Sequence, residues 1–171
     1  MRIELGTWQE KDIPALVKYG NNIKVWNTLR DIFPNPYTNT DAEKWIKLNE
    51  LTSPAVNFAI RVDDEAIGAA GILVKADIYR YNAEIGYWIG EPFWGKGIMT
   101  EVVRQLTEYT FAHFHVNRIY AEVFSNNPVS MKVLEKNGYH QEAIHRKAIA
   151  KNNEFLDAHL WVKFKPEVNP A

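Results

Sequence analysis

Two glycines, Gly95 and Gly97, stand in the run E-P-F-W-G-K-G-I-M-T from Glu91 to Thr100. Residues Ala83 to Ile89, just before it, read as a strand. After it, Ile98, Met99, Val102, Val103, Leu106, Tyr109, Thr110 and Phe114 recur at helical spacing, opposite Glu101, Arg104, Gln105 and Glu108. The glycines therefore fall where a strand ends and a long helix begins. A Gly-rich turn there aims backbone N–H groups and the positive end of the helix dipole into one small space, which suits a phosphate. Two glycines also serve a plain turn, so the motif takes its meaning from its surroundings. Two nucleotide signatures are missing. Gly97 and Ile98 follow Lys96, so there is no G-x-x-x-x-G-K-[ST], and Thr100 stands where G-x-G-x-x-G needs its third glycine.

Other chemistries are excluded or unsupported. The chain has no cysteine, which removes disulfides, thiolate metal sites and cysteine nucleophiles. His113 and His115 differ by two, which on a helix turns them apart. His140, His145 and His159 fall in outer-strand positions. All five histidines read as structural or surface groups, and no metal is expected.

The 171 residues suit one domain, here 1–165, with a loose tail over 166–171. A 46% hydrophobic content supplies a core, and 20 basic against 21 acidic residues leave a net charge of -1. No global field draws the chain to nucleic acid or to an anionic membrane. The N-terminal ten residues lack an apolar segment of signal-peptide length, and no run of about 18 apolar residues occurs. The expectation is a soluble, cytoplasmic protein, monomer or homodimer.

The elements that must position the glycine turn follow from the pattern. Arg2 to Trp8 reads as a strand, Gln9 to Tyr19 as a helix, and Asn22 to Leu29 as a second short helix. Phe33 to Thr40 is a loop. Thr40, with Glu43 three residues on, forms a capping box for a helix over Asp41 to Leu51. Ala55 to Val62, Ala66 to Ala76 and Asn82 to Ile89 are strands, the first two joined by Asp63-Asp64-Glu65. Arg118 to Phe124 is apolar on both faces, as central strands are. Asn126 or Asn127 caps a helix with Pro128 first, and Asn137-Gly138 ends it. Tyr139 to Ala150 and Phe155 to Phe164 pair as a hairpin. Hairpins mixed with two crossover helices predict a three-layer α/β fold on a mixed sheet.

Three segments, in this order, resemble the GNAT superfamily of N-acetyltransferases: A-E-I-G-Y-W-I at Ala83 to Ile89, W-G-K-G-I-M-T-E at Trp94 to Glu101, and N-N-P-V-S-M-K-V-L-E-K-N-G-Y at Asn126 to Tyr139. The set is most similar to the branch that contains the ribosomal-protein alanine N-acetyltransferases. The superfamily pattern is [QR]-x-x-G-x-[GA]. Here Trp94 replaces the Gln/Arg and Met99 the final small residue, which keeps the backbone cradle but removes one side-chain contact to pyrophosphate.

The resemblance implies a central mixed, mostly antiparallel sheet, splayed to hold acetyl-CoA as co-substrate. Gly95, Lys96, Gly97, Ile98, Met99 and Thr100 would cradle the pyrophosphate. Trp88, Ile89 and Gly90 would pair with the pantetheine as an added strand does, one N–H there polarising the thioester carbonyl. Asn126 and Asn127 sit beside that arm, and each also suits a turn or a cap. Ser130 fits two roles: hydrogen-bond donor to the departing thiolate, or a first-turn residue bonding its own backbone. Tyr139 is the other acid candidate, or a core aromatic. Glu84 is a candidate base, or a solvated strand carboxylate. Trp26, Arg30, Phe33 and Tyr37 lie in the region that covers the acceptor in the family, and would line its pocket or form a satellite core. The implied reaction is direct attack of a primary amine on acetyl-CoA in a ternary complex. The acceptor is a protein or peptide N-terminus or a small amine. A CoA-binding module without catalysis is the alternative.

Overall fold

Alternating apolar residues build the strands and helical apolar stripes cover them. The computed structural model describes residues 1–49 and 53–166. In chain order the elements are β1 (Ile3–Gly6), α1 (Ile13–Gly20), α2 (Ile23–Trp26), α3 (Asn39–Asn49), β2 (Asn57–Val62), β3 (Glu65–Val74) and β4 (Asn82–Ile89). Then follow α4 (Ile98–His113), β5 (Arg118–Phe124), α5 (Pro128–Lys136), β6 (His140–Lys151) and β7 (Glu154–Phe164). The seven strands form one sheet in the order β1-β2-β3-β4-β5-β7-β6. Among the described residues only the β4–β5 pair is parallel.

Alternation along β2 separates two cores. Phe58 and Ile60 join Val102, Val103 and Leu106 of α4 on one face, while Ala59 joins Leu16 of α1 and Ile46 of α3 on the other. Helices thus cover both faces, giving three layers. Leu106 and its neighbours Val102 and Val103 are fully buried, and burying each such side chain is worth about 1.5–3 kcal/mol. A buried, bidentate ion pair, Arg61 to Asp12 at 2.9 and 2.6 Å, ties β2 to the start of α1.

The feature that matters for function is where the parallel pair comes apart. β4 and β5 pair only from Asn82↔Arg118 to Glu84↔Tyr120. Beyond that, each strand follows its antiparallel neighbour. β4 stays on β3 to Gly68↔Ile89, and the Gly90 N–H donates to Ile67 O at 2.8 Å. β5 stays on β7 to Phe124↔Ala158, and the Ser125 N–H donates to Asp157 O at 2.9 Å. The two strands are held from outside, so a wedge opens between them.

The expected elements are present with shifted ends. α3 is capped by Thr38, not Thr40. The Thr38 N–H and hydroxyl donate to Asp41 Oδ2 at 2.9 and 2.6 Å, and the Asp41 N–H reaches Thr38 Oγ1 at 3.3 Å. Thr38-x-x-Asp41 and Thr40-x-x-Glu43 overlap, and the earlier box wins. The expected helix end at Leu51 and the tail from Glu167 onward lie outside the described residues.

Candidate active site

The glycine turn has the geometry its sequence calls for. Gly95 and Gly97 both adopt left-handed backbone, with φ of 72° and 74°. A Cβ on either would meet nothing within 4 Å, so glycine is needed for the conformation, not for close packing. Gly97 is the N-cap of α4 and has no side chain to cap with. The first helical bonds run from the Thr100 and Glu101 N–H groups to Gly97 O, and the N–H groups before them lack intrahelical acceptors, as at any helix start. Gly95, Lys96 and Gly97 are exposed, Met99 half-buried, and Ile98 is a core residue at 1% exposure, so Ile98 offers only its backbone. Asn137 Nδ2 donates to Thr100 O at 3.1 Å and ties the end of α5 to this turn. Trp94 stands at the Gln/Arg position of the pattern. Its indole N–H donates to Ile89 O at 2.9 Å and fastens the turn to the end of β4.

The opposite faces of the wedge carry different groups. On β4, Ile85 and Tyr87 point toward α4 and α5, while Glu84, Gly86 and Trp88 point toward α1–α3. Ser130 is the third residue of α5. Its N–H donates to the Asn127 side chain at 3.2 Å, and its hydroxyl lies 2.9 Å from the Tyr87 hydroxyl. Burial pushes the Tyr87 phenol up, so it keeps its proton and is a lasting donor. Tyr139 is buried at 3%, and its hydroxyl meets Thr107 Oγ1 at 2.7 Å in the core under α4, with burial again raising the phenol. Of the two acid candidates, only Ser130 lines the cavity beside the wedge. Among the strand-end groups, the Gly90 N–H is already given to Ile67, and a Cβ at Gly90 would strike the Tyr19 ring at 2.8 Å. Asn126 donates to Asn27 O at 3.2 Å, linking the α5 cap to α2.

Glu84 sits at the root of the wedge with side-chain exposure of 15%. Lys75 Nζ donates to Glu84 Oε2 at 2.7 Å, Arg30 donates to Oε1, and the Tyr120 hydroxyl lies 3.3 Å from Oε2. Burial alone would raise this carboxyl, but Lys75 and Arg30 together hold it below the usual carboxylate range. A carboxylate held by two cations is a poor proton acceptor.

A cavity of about 720 Å³ opens on this same face, over β3, β4 and β5 and beneath α1, α3 and the loop before α3. Arg30, Phe33, Tyr37, Trp45, Glu84 and Trp88 are among its walls. Phe33 packs on Tyr37 at 5.0 Å and edge-on to Trp88 at 5.3 Å. Tyr37 is buried, and desolvation with Asp41 nearby pushes its phenol up to about 12. Trp26 lies elsewhere. Its indole N–H donates to Phe33 O at 3.0 Å, and the Lys151 ammonium sits 3.1 Å from its ring centroid. Trp26 braces the cavity loop and does not line the cavity.

Sequence reasoning passed over Tyr87 and Lys75. Tyr87 shares the parity of Ile85 and Ile89, and a tyrosine at a core-facing strand position needs a partner for its hydroxyl. That signal was available; the identity of the partner was not.

An open wedge between parallel strands, an exposed glycine turn at a helix start and a hydroxyl pair beside the wedge fit a long amide-chain cofactor ending in pyrophosphate. Residues 2–140 match the family model described as "Acetyltransferase (GNAT) domain". The chain belongs to this family and is an acyltransferase; acetyl-CoA is the co-substrate. Among relatives, the "Probable N-acetyltransferase YjcK" of Bacillus subtilis (strain 168) is 37% identical over 105 residues, 61% of this chain and 58% of that protein. The "Uncharacterized N-acetyltransferase p20" of Bacillus licheniformis is 29% identical over 172 residues, 97% of this chain and 94% of that protein. A solved structure of RimL, a ribosomal L7/L12 alpha-N-protein acetyltransferase in complex with coenzyme A, shares the fold with a TM-score of 0.81. It is 22% identical and covers 95% of this chain and 93% of its own. No helix of the described residues is long and apolar enough to cross a membrane.

Proposed function

We propose that this protein transfers the acetyl group of acetyl-CoA to a primary amine by direct attack in a ternary complex, in the cytoplasm. The acceptor is a protein or peptide N-terminus or a small amine. The carrying observation is the open wedge with one cavity beside it, whose walls include both the Ser130–Tyr87 hydroxyl pair and Glu84 with Arg30.

Backbone N–H groups from Gly95 to Thr100 hold the pyrophosphate, and the free edge of β4 holds the pantetheine. The thioester then lies in the wedge, with its sulfur toward Ser130. The amine comes from the cavity face. Its nitrogen bonds to the carbonyl carbon, the C–S bond breaks and its electron pair stays on sulfur. Tyr87 donates to Ser130 Oγ, which leaves the Ser130 hydrogen to be shared with the departing thiolate. The gain comes from positioning and from fixed donors, not from a covalent enzyme intermediate. The RimL acceptor, a ribosomal protein N-terminus, supports a peptide acceptor here. The test is acetyl transfer to a panel of an Ala-initiated peptide, a Ser-initiated peptide, L-phenylalanine, phenethylamine and spermidine. Amine-dependent release of CoA supports the reading, and CoA binding without transfer to any of them supports a sensor.

A further inference from the structure

An acetyl acceptor is selected by the groups around its nitrogen, and the cavity is shaped for one kind of group. On the α1–α3 face of the sheet, Ala69 pairs with Trp88 and Gly71 with Gly86. Asn57 fills the space over Gly71, where a Cβ would strike its Oδ1 at 2.6 Å, and Asn57 Nδ2 donates to Asn49 Oδ1 at 2.7 Å. A Cβ at Gly86 would meet nothing within 4 Å. The floor is therefore low at Ala69 and Gly86, with Trp88 beside them. Facing it, Asp41, Trp45 and Leu48 of α3 recur at i, i+4 and i+7, which sets them on one side of the helix, and all three line the cavity. The glycine turn opens α4, and α4 packs on the other face of the sheet. The aromatic wall of Phe33, Trp45 and Trp88 is thus on the side away from the phosphates of the cofactor.

Two further features point to a ligand in this chamber. One is its rim. Ile32, Leu48 and Leu73 are 90%, 74% and 54% exposed, and each lines the cavity. Single exposed apolar side chains are ordinary, but three around one opening make an apolar mouth. The other is Tyr37. It is 5% exposed and lines the cavity, and its hydroxyl has no hydrogen-bond partner among the described residues. Buried polar groups are normally bonded, and this phenol keeps its proton, so it is a donor that lacks an acceptor. Arg30 has N–H groups beyond the one given to Glu84. The carboxylates of the wall are already engaged: Asp41 accepts from the Thr38 N–H and hydroxyl, and Glu84 from Lys75 and Arg30. Two donors in a chamber with an apolar wall suit a carbonyl or carboxylate oxygen that has a large apolar group beside it.

We propose that the acceptor is an α-amino-acyl group with a large apolar side chain, best an aromatic one, as a free amino acid or as the first residue of a peptide. This names the acceptor of the acetyl-transfer reading and rests on that reading. The side chain lies among Phe33, Trp45 and Trp88, where ring contacts add to the burial of apolar area. Arg30 and Tyr37 donate to the carbonyl oxygen, which leaves the amine facing the wedge. An acceptor that begins with glycine, alanine or serine would leave the chamber to water and forgo that burial.

The test uses the full chain, acetyl-CoA and a set of peptides that differ only in their first residue: phenylalanine, leucine, glycine, alanine or serine. The phenylalanine and leucine peptides should exceed the other three in kcat/KM by at least about tenfold. L-phenylalanine should exceed phenethylamine, which has the ring and the amine but no carboxylate. The ratio of kcat/KM for the phenylalanine peptide to that for the alanine peptide is the second readout. A general loss of fold or of cofactor binding lowers both and leaves the ratio alone. Ile32→Asp and Leu48→Asp alter exposed side chains, so the fold is retained, and each should lower the ratio by about tenfold. Tyr37→Phe keeps the ring and should raise the KM of L-phenylalanine but not that of phenethylamine. Alanine or serine peptides used as well as the phenylalanine peptide, or a ratio unmoved by both Asp variants, would overturn the proposal and leave acetyl transfer standing. If the parent acetylates none of these amines, the transfer reading falls, and this proposal with it.

Discussion

The hydroxyls of Tyr87 on β4 and Ser130 on α5 lie 2.9 Å apart, and both residues line the cavity beside the wedge. A first-turn serine normally has only its own backbone to bond. Here its N–H is capped by Asn127 and its oxygen is held by the half-buried Tyr87 phenol, so its rotamer is fixed.

Ser130→Ala should therefore lower turnover by about 10²-fold, the low end for losing a positioned proton donor, with CoA affinity nearly unchanged. Tyr87→Phe keeps the serine but frees its rotamer. One hydrogen bond is worth about 0.5–1.5 kcal/mol, so roughly a threefold to tenfold loss is expected. Steady-state kinetics on both variants check the order. Equal turnover in Ser130→Ala would return that residue to a capping role.

Gly97→Val should weaken CoA binding more than it weakens the fold. With φ at 74°, a β-branched side chain costs about 1–2 kcal/mol in backbone strain. It would also stand where the pyrophosphate approaches. Calorimetric titration with CoA should show at least a tenfold weaker complex in a variant that still melts cooperatively. Binding as tight as the parent's would move the cradle elsewhere.

Glu84→Gln tests the clamp at the root of the wedge. The native carboxyl titrates below its ordinary 4.5 despite burial, because Lys75 and Arg30 favour its charged form. A depressed carboxyl adds stability that is present above its unfolded pKa and lost as pH falls through its native one. At neutral pH the variant should melt lower by on the order of 1 kcal/mol, since Arg30 is largely exposed and screened. That is about 2–4 °C for a chain of this size. The gap should close below about pH 4.5. A gap that persists into acid would mean that the introduced amide packs badly and that charge is not the cause.

Arg30 lies at the cavity wall with its side chain 61% exposed, and Glu84 holds one of its nitrogens. A guanidinium has five N–H donors, so others remain for an acceptor carbonyl or carboxylate. Arg30→Ala should raise the KM of the acceptor and leave that of acetyl-CoA alone. Spermidine, with several positive charges, should rank below peptide N-termini and amino acids. If spermidine proves the best acceptor, this role for Arg30 fails.

Much of this was legible in the residues. Strand limits at Asn82–Ile89 and Arg118–Phe124 followed from alternation and two-sided apolarity, because burial imposes both patterns locally. The glycine turn was legible because positive φ leaves few residue choices. What remained hidden depends on side chains far apart in sequence. Nothing near Glu84 announces that Lys75 and Arg30 close on it, nor near Trp26 that Lys151 covers it.

The most direct measurement is thiol release. The chain has no cysteine, so a thiol reagent reports CoA with no signal from the protein. Incubated with acetyl-CoA and the amine panel, the protein should release thiol only when an amine is present, mole for mole with acetylated product, and Ser130→Ala should slow it. Thiol release that is absent with every amine, or that proceeds equally without one, would contradict the account.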